Sequence, residues 1–382
     1  MATPSSTVHI LGAGPTGSLA AIALASKGCS VVLTDPLTRE ELLSRSRAYA
    51  ITHSSRRLLT DLNLWTSLQG SLTAFSSLDL RDSACGGRVI FGLDDLTDSN
   101  GRHQAIGWIL DHQPLMELLM DRLQQHHRVQ LALDCAAPPP PGVDDLIVAA
   151  DGPRSTTRAQ WGIGCWQFRY HQGCLTSKLV LRGVKSGMAY ELFRPEGPLA
   201  ILPLGDGIFQ VVWSAPWTQC QRRADLPTPE FLDELAAVLP AGIEPDLLLD
   251  TPRAFPQQWS VARRLSRGRG VLLGEAGHRC HPVGGQGLNL CWRDVASLTN
   301  LAEHGGTSQR LARRYGRSRW ADLLMVGLAT DLLVRLFSNQ QRWLLPFRRI
   351  GLEAMARFSW LRRISLRAMT DGPTQLLKPL PD

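Results

Sequence analysis

Three closely spaced glycines near the start of the chain, Gly12, Gly14 and Gly17, impose the strongest constraint on the fold. The apolar residues before them predict a β-strand, and the alanine-rich residues after them predict an α-helix. In this setting the first glycine makes a tight turn, the second lets a ligand approach the backbone, and the third lets the helix pack on the strand. A second predicted strand ends at Asp35, whose carboxylate is placed to accept hydrogen bonds from ribose hydroxyls. The whole pattern, and not the glycines alone, predicts a βαβ unit that binds a dinucleotide.

A second glycine-rich loop lies far along the chain and contains Gly284, Gly285 and Gly287. Residues 271–273 predict a buried strand before this loop, and residues 288–298 predict an amphipathic helix after it. The start of such a helix offers unpaired N–H groups and the positive end of the helix dipole, which suits an anionic or electron-rich ligand. Two loops of this kind, one toward each end of the chain, indicate one long cofactor that is held by both.

The segment from residue 274 to residue 289 resembles the second flavin motif of the flavoprotein aromatic hydroxylases, the monooxygenases similar to p-hydroxybenzoate hydroxylase. Within that family the chain is most similar to the hydroxylases of ubiquinone biosynthesis. The matching residues are Gly274, His278, Pro282, Gly285, Gln286, Gly287 and Asn289. Glu275 stands where the family has an aspartate that bonds the ribityl chain of the flavin, and Cys291 replaces a common glycine. The resemblance implies that FAD is the cofactor.

Three other segments carry the same resemblance. Arg47 matches an arginine of the family that approaches the flavin, and a solvated loop residue is the weaker alternative. His112 falls near a position that supplies an amide to the cofactor, and helix capping by Asp111 is an equally good interpretation. Residues 151–158 match an internal motif that begins with Asp151 and lies near the pyrophosphate and the path of a nicotinamide. The phrase at residues 189–204, AYELFRPEGPLAILPL, most strongly indicates the quinone-pathway branch.

The candidate cofactor-binding residues are Gly12, Gly14, Pro15, Thr16, Gly17, Asp35, Arg47, His112, Asp151, Gly274, Glu275, Pro282, Gly285, Gln286, Gly287, Leu288 and Asn289. The predicted fold class is α/β, with a Rossmann-like FAD-binding domain, an inserted mixed β-sheet substrate domain and a C-terminal helical region. The FAD-binding domain is expected to be discontinuous, at residues 1–75, 100–160 and 255–300. The substrate domain is expected at residues 76–99 and 161–254, and the helical region at residues 301–382.

The resemblance implies a FAD-dependent monooxygenase that uses O2 and takes electrons from NAD(P)H as a transient reductant. It implies that a flavin C4a-hydroperoxide hydroxylates the ring of a lipophilic, prenylated phenol in quinone biosynthesis. Such chemistry needs no metal, because the cofactor carries it. The catalytic residues stay unassigned. His278, His281 and Pro282 are the candidates, and a structural histidine that bonds a loop carbonyl is the stronger interpretation of the two histidines.

Two other functions remain open. A prenyl-chain reductase of the same flavin fold would saturate double bonds and would add no oxygen. A non-catalytic flavoprotein that assists a quinone-synthesis complex would tolerate the departures at Glu275 and Cys291. The sequence does not decide between such a complex and a homodimer.

The C-terminal region carries most of the positive charge of the chain. Residues 301–382 contain 14 Lys or Arg and six acidic residues, against a net charge of +7 for the whole chain. These basic residues alternate with apolar ones on predicted helices, which predicts either peripheral contact with an anionic membrane or a helical cap with a solvated basic face. The pattern does not match a nucleic-acid reading module. The absence of a spanning segment or a leader predicts a cytoplasmic protein, peripheral on the membrane in the first case.

Overall fold

The structure of the protein is a computed structural model that describes residues 7–96, 104–136, 139–339 and 341–374. Its strands are β1 (Val8–Leu11), β2 (Val31–Thr34), β3 (Ala48–Ile51), β4 (Leu72–Phe75), β5 (Ser77–Asp82), β6 (Arg88–Phe91), β7 (Gly107–Asp111), β8 (Val129–Ala132), β9 (Leu146–Ala149), β10 (Cys165–Arg182), β11 (Met188–Phe193), β12 (Leu199–Gly205), β13 (Ile208–Pro216), β14 (Glu244–Leu248), β15 (Arg253–Ala262), β16 (Ser266–Arg267), β17 (Gly270–Leu272) and β18 (His278–Arg279).

The helices complete the set of regular elements. They are α1 (Pro15–Ser26), α2 (Arg39–Leu43), α3 (His53–Asp61), α4 (Trp65–Leu68), α5 (His112–Gln125), α6 (Thr156–Gln160), α7 (Trp217–Ala224), α8 (Thr228–Ala236), α9 (Gln286–Glu303), α10 (Ser308–Ser318), α11 (Trp320–Phe337), α12 (Leu345–Arg357) and α13 (Ser359–Asp371). Short 3-10 turns lie at Gln69–Ser71, Leu93–Asp95, Gly274–Ala276, Val283–Gly285 and Arg342–Leu344.

A six-stranded sheet in the order β16-β17-β9-β1-β2-β8 forms the dinucleotide-binding half of the molecule. All neighbouring pairs from β17 to β8 are parallel, and β16 is antiparallel to β17. Its strands read as apolar runs because helices α1, α5 and α9 cover them in a shared core. The sheet places the carboxyl ends of β1, β2, β9 and β17 at one edge, and each predicted motif follows one of these ends.

A nine-stranded mixed sheet packs beside it in the order β18-β15-β10-β13-β12-β11-β5-β6, with β14 paired to β10. Most pairs are antiparallel, while β11 and β5 are parallel. A turn at residues 205–207 joins β12 to β13, and Gly86 and Gly87 lie in the turn between β5 and β6. The predicted α/β class with a Rossmann-like domain and an inserted mixed sheet is confirmed.

Residues 72–82 divide between two sheets. Strand β4 pairs with β7 in a three-stranded sheet with β3, and only β5 joins the nine-stranded sheet. Strand β15, which begins at Arg253, and strand β18 also belong to the nine-stranded sheet. Periodicity identifies strands but not their partners, and the division of the chain into domains stays a prediction.

The C-terminal helices pack on both sheets. Helix α10 contacts α9 and β17, while α12 lies against β6 and α13 against α3. Three arginines of the predicted basic face are used inside the fold: Arg319 bonds Asp294, Arg348 bonds Asp82, and Arg362 bonds Asp95. The expectation that the whole basic set faces solvent or lipid is therefore wrong for these three, because each meets a carboxylate contributed by a distant part of the chain.

Candidate functional site

The first glycine loop has the geometry that its spacing predicts. Gly12 has φ of +105°, and a Cβ there would lie 2.4 Å from the carbonyl oxygen of Ala150. A Cβ at Gly17 would lie 1.8 Å from the Gly12 carbonyl oxygen, so helix α1 meets β1 at a distance that only glycine permits. A Cβ at Gly14 would meet nothing within 4 Å, and Pro15 then opens α1. The loop is closed toward the protein and open on the side of Gly14.

Asp35 follows β2 and supports this loop. Its carboxylate accepts hydrogen bonds from the N–H of Ala13 at 2.6 Å and of Leu37 at 2.9 Å. The side chain is buried. Asp35 therefore orders the glycine loop in the structure, and its contact with a ribose stays a prediction.

The second motif packs on the first. Gly274 has φ of +61°, and its Cβ position lies 3.0 Å from Cγ2 of Thr16 and 3.2 Å from Sγ of Cys291. The Gly274 N–H donates to Asp294 at 2.9 Å, which fixes the turn before Glu275. The Trp292 indole donates to the carbonyl of Pro15 at 3.4 Å. The two glycine loops, some 260 residues apart in sequence, thus form one surface.

The turn before α9 uses two left-handed glycines. Gly284 has φ of +69° and Gly285 has φ of +63°. A Cβ at Gly285 would lie 2.7 Å from Cβ of Ala50, whereas Gly287 faces open space. Pro282 precedes this turn and Leu288 lies half-buried in the first turn of α9. Neither α1 nor α9 has a side-chain cap at its start, so both helix N-termini are available to an electron-rich ligand.

The side chains of Asn289 and Gln286 hold the turn in place. Asn289 accepts hydrogen bonds from Thr52 and Ser55 and donates to the carbonyls of Ala50 and Gly285. Gln286 donates to the carbonyls of Gly284 and Met369, which joins the turn to α13. Because the Asn289 side chain is fully used inside the protein, its predicted contribution to cofactor binding is limited to shaping the loop.

The motif at residues 151–158 joins the same surface. Asp151 accepts from the Thr157 N–H at 3.0 Å, while its Oδ1 is buried without a hydrogen-bond partner. Ser155 caps α6, and Arg158 donates to the carbonyl of Ala276 at 2.7 Å, next to Glu275. The sequence motif is therefore brought against both glycine loops by the fold.

Arg47 and Glu275 lie in the same cleft. The Arg47 side chain is accessible, although protein surrounds it. The resulting desolvation, taken by itself, would lower the pKa of Arg47. Attraction by neighbouring groups, Tyr49 and Glu275 among them, outweighs this effect and raises the pKa of Arg47 above its ordinary value. The arginine predicted to approach the flavin thus lies near enough to the acid predicted to bond its ribityl chain for the two to attract each other.

His112 has a structural position. Its Nε2 bonds the carbonyl of Leu42 at 2.7 Å, its Nδ1 bonds the Tyr49 hydroxyl at 2.9 Å, and its N–H donates to Asp111 and Arg47. Burial lowers the pKa of His112, which favours the neutral ring. The structure favours the helix-capping interpretation of this segment over a contact with the cofactor.

The two histidines proposed as catalytic candidates are also held by the protein. His278 contacts Asp294 at 2.6 Å, and Asp294 also accepts from Arg319 at 2.6 Å. Burial raises the pKa of Asp294, but attraction by His278 and Arg319 outweighs it and lowers the pKa to about 2. His278 therefore belongs to a buried hydrogen-bonded network with Asp294 and Arg319 behind the loop, and its partner is a carboxylate where a loop carbonyl was expected.

His281 is completely buried, and its Nδ1 accepts from the Val283 N–H at 3.2 Å. Desolvation lowers the pKa of His281 to about 3, so the ring is neutral at physiological pH. Its Nε2 has no hydrogen-bond partner in the part of the chain that the structure describes. Pro282, the third candidate, contributes its carbonyl to the Gly285 N–H.

The residues at this surface fit FAD. The open side of Gly14 and the two uncapped helix starts suit a pyrophosphate and an electron-rich ring system. Within the described residues, the buried Oδ1 of Asp151 receives no hydrogen bond. A ligand hydroxyl or a water could supply the donor. Arg47 and Glu275 lie on the remaining side of the cleft.

Sequence reasoning missed two functional neighbours of the loops. Asp294, which anchors Gly274 and His278, carries no local signal because its partners come from other elements. Glu191, on β11, lies next to Gly284. A detectable signal did exist for Glu191: it is a charged residue at an inward position of an alternating strand.

Comparisons with known proteins agree with this geometry. The family model described as FAD binding domain matches residues 5–73 and 144–321. The chain is 31% identical to ubiquinone hydroxylase UbiL of Rhodospirillum rubrum, over 94% of this chain and 88% of UbiL. It is 26% identical to 3-demethoxyubiquinol 3-hydroxylase of Escherichia coli, over 96% of this chain and 99% of that enzyme.

Among solved structures, p-nitrophenol 4-monooxygenase PnpA of Pseudomonas putida superimposes with a TM-score of 0.76 at 15% identity, covering 96% of this chain and 98% of PnpA. That likeness supports the fold. The matched family model and the similarity to UbiL show the family to which the chain belongs. The chain belongs to the FAD-binding-domain family of flavoprotein aromatic hydroxylases, in the branch of the ubiquinone-biosynthesis hydroxylases, and is a FAD-dependent monooxygenase.

Proposed function

We propose that this monooxygenase hydroxylates the aromatic ring of a prenylated phenol on the route to a quinone. The observation that carries the proposal is the apolar environment beside the second glycine loop. Val283 of that loop is buried in one cluster with Ala189 and Phe193 of β11 and with Phe337 of α11. Apolar surroundings of this kind suit an aromatic ring with a hydrocarbon chain, and the names of the two relatives point to the same class of substrate.

When bound, FAD supplies the activation of O2, and the protein supplies binding, orientation and exclusion of water. The loops at Gly12 and Gly274 would hold the two ends of the cofactor, with Arg47 and Glu275 beside it. The nine-stranded sheet would cover the reacting ring from the other side. We also propose that the segments predicted as FAD-binding, 1–75, 100–160 and 255–300, act as one binding unit against this sheet, with the substrate domain at 76–99 and 161–254.

The test uses the purified holoprotein, a series of ortho-prenylated phenols, NADH or NADPH, and O2 labelled with heavy oxygen. We expect a product that gains one labelled oxygen atom on the ring, found by mass spectrometry. A product that gains two hydrogens and no label would support the prenyl-chain reductase instead. Bound flavin with no turnover of any phenol would support the accessory flavoprotein.

The electron donor is tested separately. We propose that NAD(P)H reduces the bound flavin transiently. Anaerobic mixing with NADH or NADPH should bleach the flavin absorbance within the time of a turnover. Flavin that stays oxidised with both nucleotides, but is reduced by a protein electron donor, would overturn this part of the proposal.

We propose further that the C-terminal helices contact a membrane surface. Within the described residues, no helix is long and apolar enough to cross a bilayer. Exposed apolar residues instead form stripes at helical spacing: Leu324, Leu328 and Leu332 on α11, Trp343, Phe347 and Ile350 on the α12 segment, and Trp360 and Ile364 on α13. Leu328, Trp343 and Phe347 are each 66% exposed, which is unusual for a surface that only meets water.

Exposed arginines accompany these stripes. Arg342, Arg349, Arg357 and Arg363 are exposed, while Arg319, Arg348 and Arg362 are bonded within the fold. Apolar stripes flanked by arginine suit an amphipathic surface that lies on anionic lipid. A lipophilic substrate gives the enzyme a reason to work there.

Co-sedimentation with vesicles tests the contact. Replacing both Trp343 and Phe347 with serine should reduce binding to phosphatidylglycerol vesicles at least severalfold. The double substitution removes apolar side-chain area that would be buried in the lipid. The control is Leu247→Ser, which changes an exposed leucine on β14. If the double variant pellets like the wild type, the membrane proposal is wrong. If the wild type is a dimer and the double variant is a monomer, these stripes form a protein interface instead.

A further inference from the structure

Glu191 lies on the face of the nine-stranded sheet that is turned toward the second glycine loop. On β11, Ala189 and Phe193 pack in the cluster that contains Val283, while Tyr190 and Leu192 pack in the cluster on the opposite face. Because side chains alternate along a strand, Glu191 points the same way as Ala189 and Phe193. The side chain is half-buried.

The strand register shows what surrounds this carboxyl group. Glu191 pairs with Ala200 of β12 and with Leu80 of β5, and Ala200 pairs with Val212 of β13. Directly paired residues share a face of the sheet. Glu191 therefore has the apolar side chains of Leu80 and Ala200 as its direct neighbours on this face of the sheet.

The carboxyl group also lies near the loop itself. The backbone of Gly284, which has φ of +69°, lowers the pKa of Glu191. Gly284 stands two residues before α9, in the turn that the flavin motif assigns to the cofactor. Glu191 thus joins the substrate face of the sheet to the cofactor loop.

Burial raises the pKa of Glu191 to about 7, and the hydrogen bond from Gly284 opposes this rise. In the described residues no charged side chain contributes to the shift. The ionisable groups on the elements that pack against β11 are engaged elsewhere: Asp79 of β5 with Arg81 and Arg88, Asp331 of α11 with Tyr170 and Arg335, and Arg348 of α12 with Asp82. A carboxyl group in this state changes protonation near neutral pH, which suits general base catalysis.

We propose that Glu191 is the catalytic base that accepts the proton of the substrate phenol. The inference rests on the proposed function, because it needs a phenolic hydroxyl. The O–H bond breaks, the proton goes to a carboxylate oxygen of Glu191, and the electron pair stays on the phenolate oxygen. Delocalisation of that pair makes the ring carbon a better nucleophile toward the oxidant derived from O2, and Glu191 then returns its proton to water in the cleft.

The other ionisable groups near the loop are less suited to this step. His278 is bonded to Asp294 on its Nε2. His281 uses its Nδ1 lone pair to accept from Val283 and lies out of reach of solvent. Tyr170 donates its hydroxyl to Asp331 at 2.9 Å.

The test compares Glu191→Gln and Glu191→Asp with the wild type and with Glu244→Gln, which changes an exposed acid on β14. We expect E191Q to keep its flavin and its affinity for an ortho-prenylated phenol, while kcat falls about 100- to 10,000-fold. The wild-type pH profile of kcat should rise to a plateau with an apparent pKa near 7. In E191Q this limb should vanish, and activity should recover toward about pH 10, where the phenol ionises by itself. E191D should lie between the two, and E244Q should match the wild type.

A second readout does not depend on turnover. Infrared difference spectra of the flavin-loaded wild type, recorded without substrate, should show a carboxyl group that loses its proton between about pH 6 and pH 8, and E191Q should lack this signal. A wild type without such a titration overturns the proposal, even if the E191Q protein is poorly folded.

The kinetic outcomes separate the two levels of inference. If the wild type hydroxylates the phenol and E191Q does so equally well, Glu191 is not the base, while the proposed function stands. If the wild type hydroxylates no prenylated phenol, the proposed function fails and the role of Glu191 fails with it.

Discussion

Arg348 of α12 and Asp82 of β5 form a two-point ion pair in which neither side chain is exposed, with N–O distances of 2.7 Å and 2.6 Å. The residues are 266 positions apart in sequence. The pair fixes the C-terminal helices to the edge of the nine-stranded sheet. These helices are thus anchored to the sheet by a buried pair and do not form a loosely attached tail.

Replacing Arg348 with methionine should lower the free energy of unfolding by about 3–5 kcal/mol, because it leaves the Asp82 carboxylate buried without its partner. Urea unfolding measures this change. The control is Arg349→Met at the next position, since Arg349 pairs with Glu353 and both are exposed. That variant should leave the urea midpoint close to that of the wild type, because exposed ion pairs contribute little to stability. Equal effects at the two positions would contradict the assignment.

Gly14→Val should fold and lose FAD. A Cβ at Gly14 meets no protein atom within 4 Å, so the branched side chain would occupy the space left for the pyrophosphate. Gly12→Ala should instead damage the fold, since its Cβ would lie 2.4 Å from the Ala150 carbonyl oxygen. Flavin absorbance per protein and the thermal midpoint distinguish the two variants. Stoichiometric flavin in folded G14V would reject the assignment of the first loop.

The buried ring of His281 should make stability depend on pH. Its pKa is about 3 in the folded protein because of desolvation, against 6.5 as the ordinary value. The unfolded chain therefore takes up a proton at this site below pH 6.5 that the folded protein does not, so the stabilising contribution is complete above 6.5 and is lost as the pH falls toward 3. The loss should approach about 1.4 kcal/mol per pH unit in that window.

His281→Asn tests this dependence, because asparagine can still accept from the Val283 N–H but does not titrate. Urea unfolding at several pH values should give a shallower decline for H281N than for the wild type. His127→Asn, which changes an exposed histidine, is the control. Parallel curves for wild type and H281N would show that His281 is not buried as described.

Gly285→Ala should destabilise the turn before α9. The residue has φ of +63°, and its Cβ would lie 2.7 Å from Cβ of Ala50. The left-handed conformation alone costs about 1–2 kcal/mol, and the contact adds to it. Adding Ala50→Gly should remove the contact and leave the conformational cost. Gly287→Ala, at a helical position that faces open space, should leave thermal stability unchanged or raise it, while flavin content reports on the cleft. A G285A protein as stable as G287A would contradict the geometry of the turn.

Local patterns predicted much of this protein. The glycine spacing at Gly12, Gly14 and Gly17 requires a strand, a turn and a helix in close contact, because no larger side chain fits at the first and third positions. The phrase at residues 189–204 indicated the branch of the family, and a family resemblance of this kind is a property of a short segment. The cofactor and the family follow from these segments and from the motif at residues 274–289.

Tertiary structure alone decided which distant groups meet. Asp294 anchors both Gly274 and His278, Arg348 finds Asp82, and Glu191 reaches Gly284, and each of these contacts joins different elements. A charged residue in a sequence does not reveal whether it will be solvated, paired or desolvated, because that depends on the packing of the elements around it. For the same reason the sequence left the catalytic residue unassigned among His278, His281 and Pro282, whereas the fold shows that both histidines are buried.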